Sequence, residues 1–214
     1  IVAVADPDQN SLNHAKSIVD SQTGLFQNHR DLLERGECDA LVIATPNMTH
    51  TEILLEVLET GLPALVEKPL CTTVSDCKKV IEKAGNQSKI WVGLEYRYMP
   101  AIAELIRQVK EGKTGPISMV AIREHRFPFL KKVGDWNRFN DNTGGTLVEK
   151  CCHFFDLMRL ISGSNPIRVF ASGDQDVNHL DESYDGRVPD ILDNAYVIVD
   201  FESGTRAMLD LCMF

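Results

Sequence analysis

Apolar strands alternate with amphipathic helices through residues 1–95, and this alternation limits the possible folds more than any other feature of the sequence. The continuous apolar run Ala40–Thr45 is typical of a strand covered on both faces, as in parallel sheets. A helix over about 51–60 follows, with its apolar residues on one face and Gly61 at its end. The same alternation predicts strands at residues 1–6, 64–67 and 90–94 and helices at 12–19, 31–35 and 74–84. We therefore expect one layered α/β unit with a parallel sheet.

The pattern changes after residue 97, where strands outnumber helices. Pro100 suits the first turn of a helix, and a further helix is expected over about 146–162. A tight turn at Glu202–Gly204 lies between two apolar segments and predicts a hairpin. The expected strands are 117–127, 167–172, 195–201 and 205–212. The sequence thus predicts an α/β domain over residues 1–97 and an α+β domain with a largely antiparallel open sheet over 98–214.

Composition excludes several classes of partner. The net charge is −9 and the isoelectric point is about 5.1, which argues against a nucleic-acid surface because such a surface is basic. No apolar run approaches the roughly 20 residues of a membrane span, so we expect no membrane partner. The six cysteines form no C-x-x-C pair, which favours free thiols in a reducing compartment. We expect a cytoplasmic protein.

Asp6 lies at the carboxyl end of the first predicted strand. In a dinucleotide-binding fold an acidic residue there accepts hydrogen bonds from ribose hydroxyls, about 20 residues after a G-x-G-x-x-G loop. The sequence has no such loop, since Gly24 is its first glycine. If Asp6 binds a ribose, a strand, a glycine turn and a helix, about 30 residues in all, are expected before it. The alternative is a turn aspartate before Pro7.

Two further polar segments follow predicted strands, at the edge where open α/β sheets bind ligands. The turn at Thr45-Pro46 presents polar groups to a nicotinamide ribose at that edge. His50 either contributes to this contact or starts a helix with a local hydrogen bond. In Glu67-Lys68-Pro69 the lysine is placed to stabilise negative charge on a substrate oxygen. The alternative is a surface lysine before a turn proline.

The segment Gly144–Asp156 carries the clearest signal for catalysis. Glu149 and His153 are four residues apart and Asp156 follows three later, so the three side chains are expected to share one helix face. Histidine takes up a proton near neutral pH, and a carboxylate one turn away would orient it. The glycine pair that opens the segment would let the loop approach a ligand closely. The alternatives are a metal site, a solvated row of ion pairs, and a redox-active Cys151-Cys152 pair.

Together these motifs resemble those of the Gfo/Idh/MocA family of NAD(P)-dependent oxidoreductases, in matching order through the whole chain. The motifs are Asp6, Ala44-Thr45-Pro46-Asn47 with His50, Glu67-Lys68-Pro69, and Gly144-Gly145 followed by His153 and Asp156. The resemblance implies a Rossmann-type dinucleotide-binding domain, here without its first strand and glycine loop, and a second domain whose open sheet often serves oligomer contacts. It implies hydride transfer between a nicotinamide and the carbinol carbon of a sugar, polyol or related compound.

The resemblance also implies roles for single residues. Lys68 matches the family lysine that contacts the reacting oxygen, and His153 matches the histidine commonly assigned as acid/base. Glu149 stands where many members have Asp and is expected as the third catalytic residue. The predicted cofactor-binding residues are Asp6, Thr45, Pro46, Asn47, His50, Glu67 and Lys68. The predicted substrate-binding residues are Tyr96, Arg97, Trp136 and Asp156.

Asp6 also bears on the choice of cofactor. A carboxylate at this place repels the 2′-phosphate of NADP and hydrogen-bonds free ribose hydroxyls, so we expect NAD rather than NADP. The expected partners are a sugar-like small molecule and further copies of the chain, joined through the sheet of the second domain. No metal is expected. The alternative function is a non-catalytic protein of the same fold that senses a dinucleotide or binds a protein.

Overall fold

The computed structural model describes residues 1–87 and 89–214. The strands are β1 (Ala3–Ala5), β2 (Gly24–Phe26), β3 (Leu41–Ile43), β4 (Ala64–Val66), β5 (Ile90–Val92), β6 (Met119–His125), β7 (Pro166–Asp174), β8 (Asn194–Phe201) and β9 (Arg206–Cys212). The α-helices are α1 (Gln9–Ile18), α2 (His29–Arg35), α3 (His50–Thr60), α4 (Val74–Ala84), α5 (Pro100–Lys110), α6 (Asn140–Thr143), α7 (Thr146–Glu149) and α8 (Cys152–Ser162). Short 3₁₀ helices span Asn47–Thr49, Gly85–Gln87, Glu95–Tyr98 and Val133–Arg138. None of the described helices is long and apolar enough to cross a lipid bilayer.

The strands of residues 1–97 form two parallel sheets rather than the single sheet expected. β1 pairs with β2, and β3, β4 and β5 pair in that order. In the doubly wound order 3-2-1-4-5-6, β1 and β2 correspond to strands two and three, and β3 to β5 correspond to strands four to six. The break in pairing therefore falls where that order has its first strand. The sequence does not predict β2, because its segment Gly24–Phe26 begins with glycine and has polar residues on both sides, so no apolar run marks it.

A buried core beneath β3 and β4 sets the position of the loops at their carboxyl ends. Helices α3 and α4 pack on these strands around Leu54 and Val66, which are both 0% exposed. The two strands are in register, with Ile43 beside Val66. The residues that follow Ile43 and those that follow Val66 therefore emerge side by side, which brings the turn at residues 45–50 next to Lys68.

The second region is built on one four-stranded sheet in the order β6-β9-β8-β7. β8 pairs antiparallel with both β7 and β9, the latter through the predicted hairpin, whereas β6 runs parallel to β9. The expected largely antiparallel open sheet is thus confirmed, with one parallel pair. Helix α8 packs Phe154 and Met158 into the core on the inner face of this sheet, with Val197 and Leu209.

The single helix expected over 146–162 is broken into α7 and α8. The N–H of Cys151 donates to the carbonyl of Thr146 at 3.3 Å, which is a five-residue step in place of the usual four. Such a wide turn changes the direction in which the following side chains point around the helix axis, relative to the side chains before it. Glu149 and His153 therefore belong to different helices, and the prediction that they share one continuous helix face with Asp156 is wrong.

Candidate active site

Lys68 follows β4 and reaches across to the second region. Its Nζ donates to the backbone carbonyl of Glu149 at 3.0 Å and to the Glu149 carboxylate at 3.1 Å. The side chains are 20% and 7% exposed, so this ion pair is largely shielded from solvent. The amide of Asn47 donates to the other carboxylate oxygen of Glu149. Glu149 thus orients the lysine, and our expectation that it orients His153 is not what the structure contains.

His153 lies at the start of α8 and is 2% exposed. Its ring stacks on Tyr96, with ring centroids 4.3 Å apart and planes 10° apart. Nε2 lies 3.5 Å from Oε1 of the exposed Glu95, while Nδ1 is buried without a hydrogen-bond partner in the described part of the chain. Burial, followed by the positive charges of Lys68 and Lys150, lowers the pKa of His153 to about 4. The imidazole is therefore neutral at pH 7 and able to accept a proton.

Two predicted substrate residues, Arg97 and Asp156, are paired with each other. The guanidinium Nε donates to Oδ2 of Asp156 at 2.5 Å, and a second bond joins NH2 to Oδ1. The pair borders an open cavity of about 360 Å³ at the carboxyl end of α8, which Arg159 and Glu202 also line. The structure thus makes Asp156 a partner of Arg97.

The glycine pair before α7 lets two parts of the protein chain approach each other. Gly144 has φ +81°, and a Cβ there would lie 2.5 Å from the carbonyl oxygen of Thr72. Only a glycine fits so close to that backbone in this conformation. The close contact brings α7, and with it Glu149, against the loop that follows Lys68. The approach at Gly144 is to Thr72, and Gly145 lies against Asn140, while the approach of this loop to a ligand stays a prediction.

Asp6 and Glu67 are predicted cofactor residues that directly follow β1 and β4. One carboxylate oxygen of Asp6 accepts the N–H of Asp8 at 2.8 Å, so the residue does form a turn. Its other oxygen has no hydrogen-bond partner among the described residues and is free for a ligand. Glu67 is exposed, and its carboxylate accepts the N–H of Lys68 at 3.2 Å.

His50 was expected to contact the cofactor, but the structure gives it a position inside the protein. It is 0% exposed, and its Nδ1 and Nε2 lie 2.8 and 3.0 Å from the carbonyl oxygens of Pro69 and Thr45. The ring thus ties Thr45, two residues after β3, to Pro69, the residue after Lys68. With no exposed atom, His50 shapes the ligand-facing edge without reaching a ligand itself.

Three of the other predicted residues, Thr45, Pro46 and Asn47, form hydrogen bonds in or from the turn after β3, whereas Trp136 lies in the 3₁₀ helix Val133–Arg138. The hydroxyl of Thr49 donates to the carbonyl of Pro46 and shares a second hydrogen bond with the hydroxyl of Thr45, both at 2.7 Å. Asn47 is 4% exposed, and its amide serves Glu149. Trp136 is half-buried, with the ammonium of Lys132 over its ring at 5.9 Å, and its contact with a substrate stays a prediction.

Three charged residues near His153 were not predicted, namely Glu95, Glu124 and Lys150. Lys150 is 7% exposed and donates to the hydroxyl of Tyr96 at 2.6 Å. The one available sequence signal is that, apart from Glu149 and His153, the segment Leu147–Phe154 around this lysine consists of apolar residues and cysteines, which are commonly buried.

The metal and redox alternatives for the Glu149–Asp156 segment gain no support from its geometry. Among residues 1–87 and 89–214, no group of three or more His, Cys, Asp or Glu side chains is arranged to hold a metal ion. Burial raises the pKa of the Cys151 thiol to about 12 and that of the Cys152 thiol to about 11. Both thiols are therefore protonated at neutral pH, which disfavours redox reactivity.

Comparisons with known proteins match both regions. Residues 1–96 match the NAD-binding Rossmann fold of the Gfo/Idh/MocA oxidoreductase family, and residues 106–214 match its C-terminal alpha/beta domain. The rhizopine catabolism protein MocA of Rhizobium meliloti is 26% identical over 99% of this chain and 62% of its own length. The scyllo-inositol 2-dehydrogenase (NAD(+)) of Bacillus subtilis is 28% identical over 81% of this chain and 48% of its own length.

The solved structures support the fold. The WlbA dehydrogenase from Bordetella pertussis, crystallised with NADH and UDP-GlcNAcA, superposes with a TM-score of 0.82 at 21% identity. The match covers 100% of this chain and 64% of that one. The chain thus spans less than two thirds of the length of each of these three proteins.

Proposed function

Because this chain belongs to the Gfo/Idh/MocA oxidoreductase family, we propose that the protein transfers a hydride between NAD and the carbinol carbon of a sugar or polyol. One observation carries the proposal: the ammonium of Lys68, from the first region, donates to the backbone carbonyl and the carboxylate of Glu149, one turn before His153 of the second region. The charge of Lys68 also lowers the pKa of the imidazole. A cation and a proton acceptor facing one place are what a reaction at a hydroxyl group requires. A relative named as an NAD(+)-linked scyllo-inositol dehydrogenase supports this substrate class.

The residues at the carboxyl ends of β1, β3 and β4 fit a dinucleotide. Asp6 has a carboxylate oxygen free for ribose hydroxyls, and the turn at Thr45-Pro46 adjoins Lys68, as the nicotinamide end requires. Two further predicted contacts act indirectly in this proposal. Asn47 donates to the Glu149 carboxylate, and Glu67 accepts the backbone N–H of Lys68. When bound, the nicotinamide supplies the group that gives or accepts the hydride.

The chain's own residues manage the proton and the charge. In the oxidation direction, neutral His153 accepts the hydroxyl proton at Nε2, the ring nitrogen that faces the exposed Glu95. Lys68 stabilises the negative charge that develops on the same oxygen. Glu149 fixes the ammonium of Lys68 at 3.1 Å, so that little reorganisation accompanies the reaction. Tyr96, Arg97, Trp136 and Asp156 remain our proposed substrate contacts.

Substitution of Lys68 tests the proposal most directly. NADH absorbance would be followed with the complete protein and a panel of sugars and polyols. We expect Lys68→Met to lower kcat/KM by about 10²-fold or more, since a preorganised charge acts chiefly in the transition state. Lys79→Met removes an exposed lysine of the same region and serves as the control. Wild-type turnover by Lys68→Met on a true substrate would show that the lysine is not part of the chemistry.

The choice of cofactor has its own test. Because Asp6 would repel a 2′-phosphate, we expect a higher kcat/KM with NAD than with NADP. The variant Asp6→Ser should reduce the difference in kcat/KM between NAD and NADP, because it removes the carboxylate that repels the 2′-phosphate. Equal or better efficiency of the wild type with NADP would contradict the assignment of Asp6.

The further proposals concern assembly, compartment and domain limits. The outer sheet face exposes Phe170, Tyr196 and Ile198, of which Phe170 and Ile198 are paired across β7 and β8. This face supports a homo-oligomer, and Ile198→Asp should yield a monomer in light scattering if copies meet there.

Six free cysteines support a reducing, cytoplasmic compartment. The domain boundary between residues 97 and 98 stays a prediction.

A further inference from the structure

Lys150 is a buried cation that the proposed reaction does not use. It occupies the break between α7 and α8, and its side chain is 8% exposed. Its Nζ donates to the hydroxyl of Tyr96 at 2.6 Å and lies 3.1 Å from the Glu124 carboxylate on β6. The ammonium also lies over the rings of Tyr96 and Phe154, at 4.8 and 5.5 Å from their centroids.

Stability alone is a weak reason for such a group. Removing a charge pair from water costs several kcal/mol, and well-packed apolar side chains often replace a buried pair without loss. The chain nevertheless directs Lys150 at one specific atom, the hydroxyl oxygen of Tyr96. The opposite part of Tyr96, its ring, is the surface on which His153 stacks. Lys150 is thus connected to the imidazole through a single intervening side chain.

We propose that Lys150 is a positioning residue for His153, which holds Tyr96 flat against the imidazole while Glu124 fixes the ammonium from the other side. The inference rests on the proposed role of His153 as the proton acceptor. Three elements contribute to the arrangement: Glu124 from β6, Tyr96 from the 3₁₀ helix Glu95–Tyr98, and Lys150 from the break before α8. The orientation of the imidazole is therefore set by contacts with both regions.

The charges around His153 make the proposal measurable. Lys68 and Lys150 lower the pKa of the imidazole, Asp156 and Glu124 raise it, and Glu95 faces Nε2 at 3.5 Å. Removing the charge of Lys150 should raise this pKa, and removing that of Glu124 should lower it. Loosened packing would instead move the pKa of both variants upward, because it would admit water to the ring.

The experiment is an NMR titration of the histidine ring protons in the complete chain, with His153→Gln to assign the signal. We expect Lys150→Met to raise the pKa of His153 by about one unit, a tenfold change in proton affinity, and Glu124→Gln to lower it. Lys150→Arg should restore the wild-type value, and Lys110→Met, an exposed charge on α5, should leave it unchanged. Tyr96→Phe keeps the ring but removes the hydroxyl, so it should alter the ring-current shift of the His153 signal.

The outcomes separate this inference from the proposed function. An unchanged pKa in Lys150→Met, or an upward shift in both charge variants, would overturn the positioning role and leave the dehydrogenase proposal standing. Opposite shifts in a protein without dehydrogenase activity would support the positioning role and overturn the proposed function. In an active enzyme the acid limb of kcat/KM should move with the NMR value. A limb that stayed in place would overturn the link between Lys150 and the proton acceptor.

Discussion

The two regions of the chain differ in the length of their strands, in how those strands are paired and in the size of their buried cores. Strands β1 to β5 have three residues each and leave β1 and β3 unpaired with one another, whereas β6 to β9 have seven to nine residues in one sheet. Among the described residues, the buried core of the first region has seven members and that of the second has eleven. On the side of β3 and β5 away from this core, Val42 is 73% and Trp91 58% exposed.

This difference predicts unequal stability of the two regions. Long paired strands and a larger core give the second region more backbone hydrogen bonds and more buried apolar area, which are the main sources of native stability. The first region contributes strand ends, and through them Lys68 and Asn47. The candidate site needs both, because Glu149 and His153 come from the second region. We therefore expect the second region to remain folded under conditions that open the first.

The largest expected effect comes from two matched core substitutions. Leu54 of the first region and Leu209 of the second are both 0% exposed, so Leu54→Ala and Leu209→Ala should each lower the free energy of unfolding by about 3–5 kcal/mol. Native-state hydrogen exchange would report where the loss falls. Leu54→Ala should leave the amides of β8 and β9 protected. Equal loss of protection in both regions would instead indicate one cooperative unit.

Acid should destabilise the second region through His153. Its folded-state pKa is about 4 against an ordinary value of 6.5, so the unfolded state binds the proton more tightly. The contribution of this group is complete above pH 6.5 and is lost as the pH falls towards 4, amounting to about 3 kcal/mol. Urea unfolding would give the free energy of unfolding at several pH values in this range. For His153→Gln this free energy should fall less steeply with decreasing pH, because the contribution of the histidine is missing. His14→Gln, at an exposed position, should retain it.

A smaller effect is expected where the two regions are joined. Glu149→Gln keeps the shape of the side chain but leaves Lys68 facing a neutral amide, which should cost about 1–3 kcal/mol of stability. A double-mutant cycle with Lys68→Met would isolate the coupling. The exposed pair of Lys83 and Glu59 provides the control, since Glu59→Gln should change stability by about 0.5 kcal/mol or less. Zero coupling between Lys68 and Glu149 would mean that the regions are joined elsewhere.

The smallest effect is expected on the open face of the first region. Val42→Thr retains a β-branched side chain at a position that is 73% exposed, so the free energy of unfolding should change by about 0.5 kcal/mol or less. A loss above about 2 kcal/mol would show that this face is covered in solution and that the contrast between the regions is smaller than the exposed side chains indicate.

The sequence was most informative where the signal is local. Periodicity located most strands and helices, and the hairpin at Glu202–Gly204 was confirmed. The place of Lys68 directly after a buried strand singled it out before any contact was known. A histidine in the segment after a glycine pair did the same for His153. Each of these signals lies within a dozen consecutive residues, which is the range over which backbone geometry links one side chain to the next.

Only the tertiary structure shows which side chains of the candidate site contact each other. Spacing paired Glu149 with His153, but packing pairs Glu149 with Lys68, 81 residues away in the chain. In the same way His50 was assigned to the cofactor and lies instead between two carbonyl oxygens, while Lys150 gave no local sign that it would contact Tyr96. The sequence by itself determined the alternating elements and the chemical groups at their ends. Which groups meet was decided by the packing of the two regions, because contacts between distant segments depend on how whole elements are placed and not on the spacing of neighbouring residues.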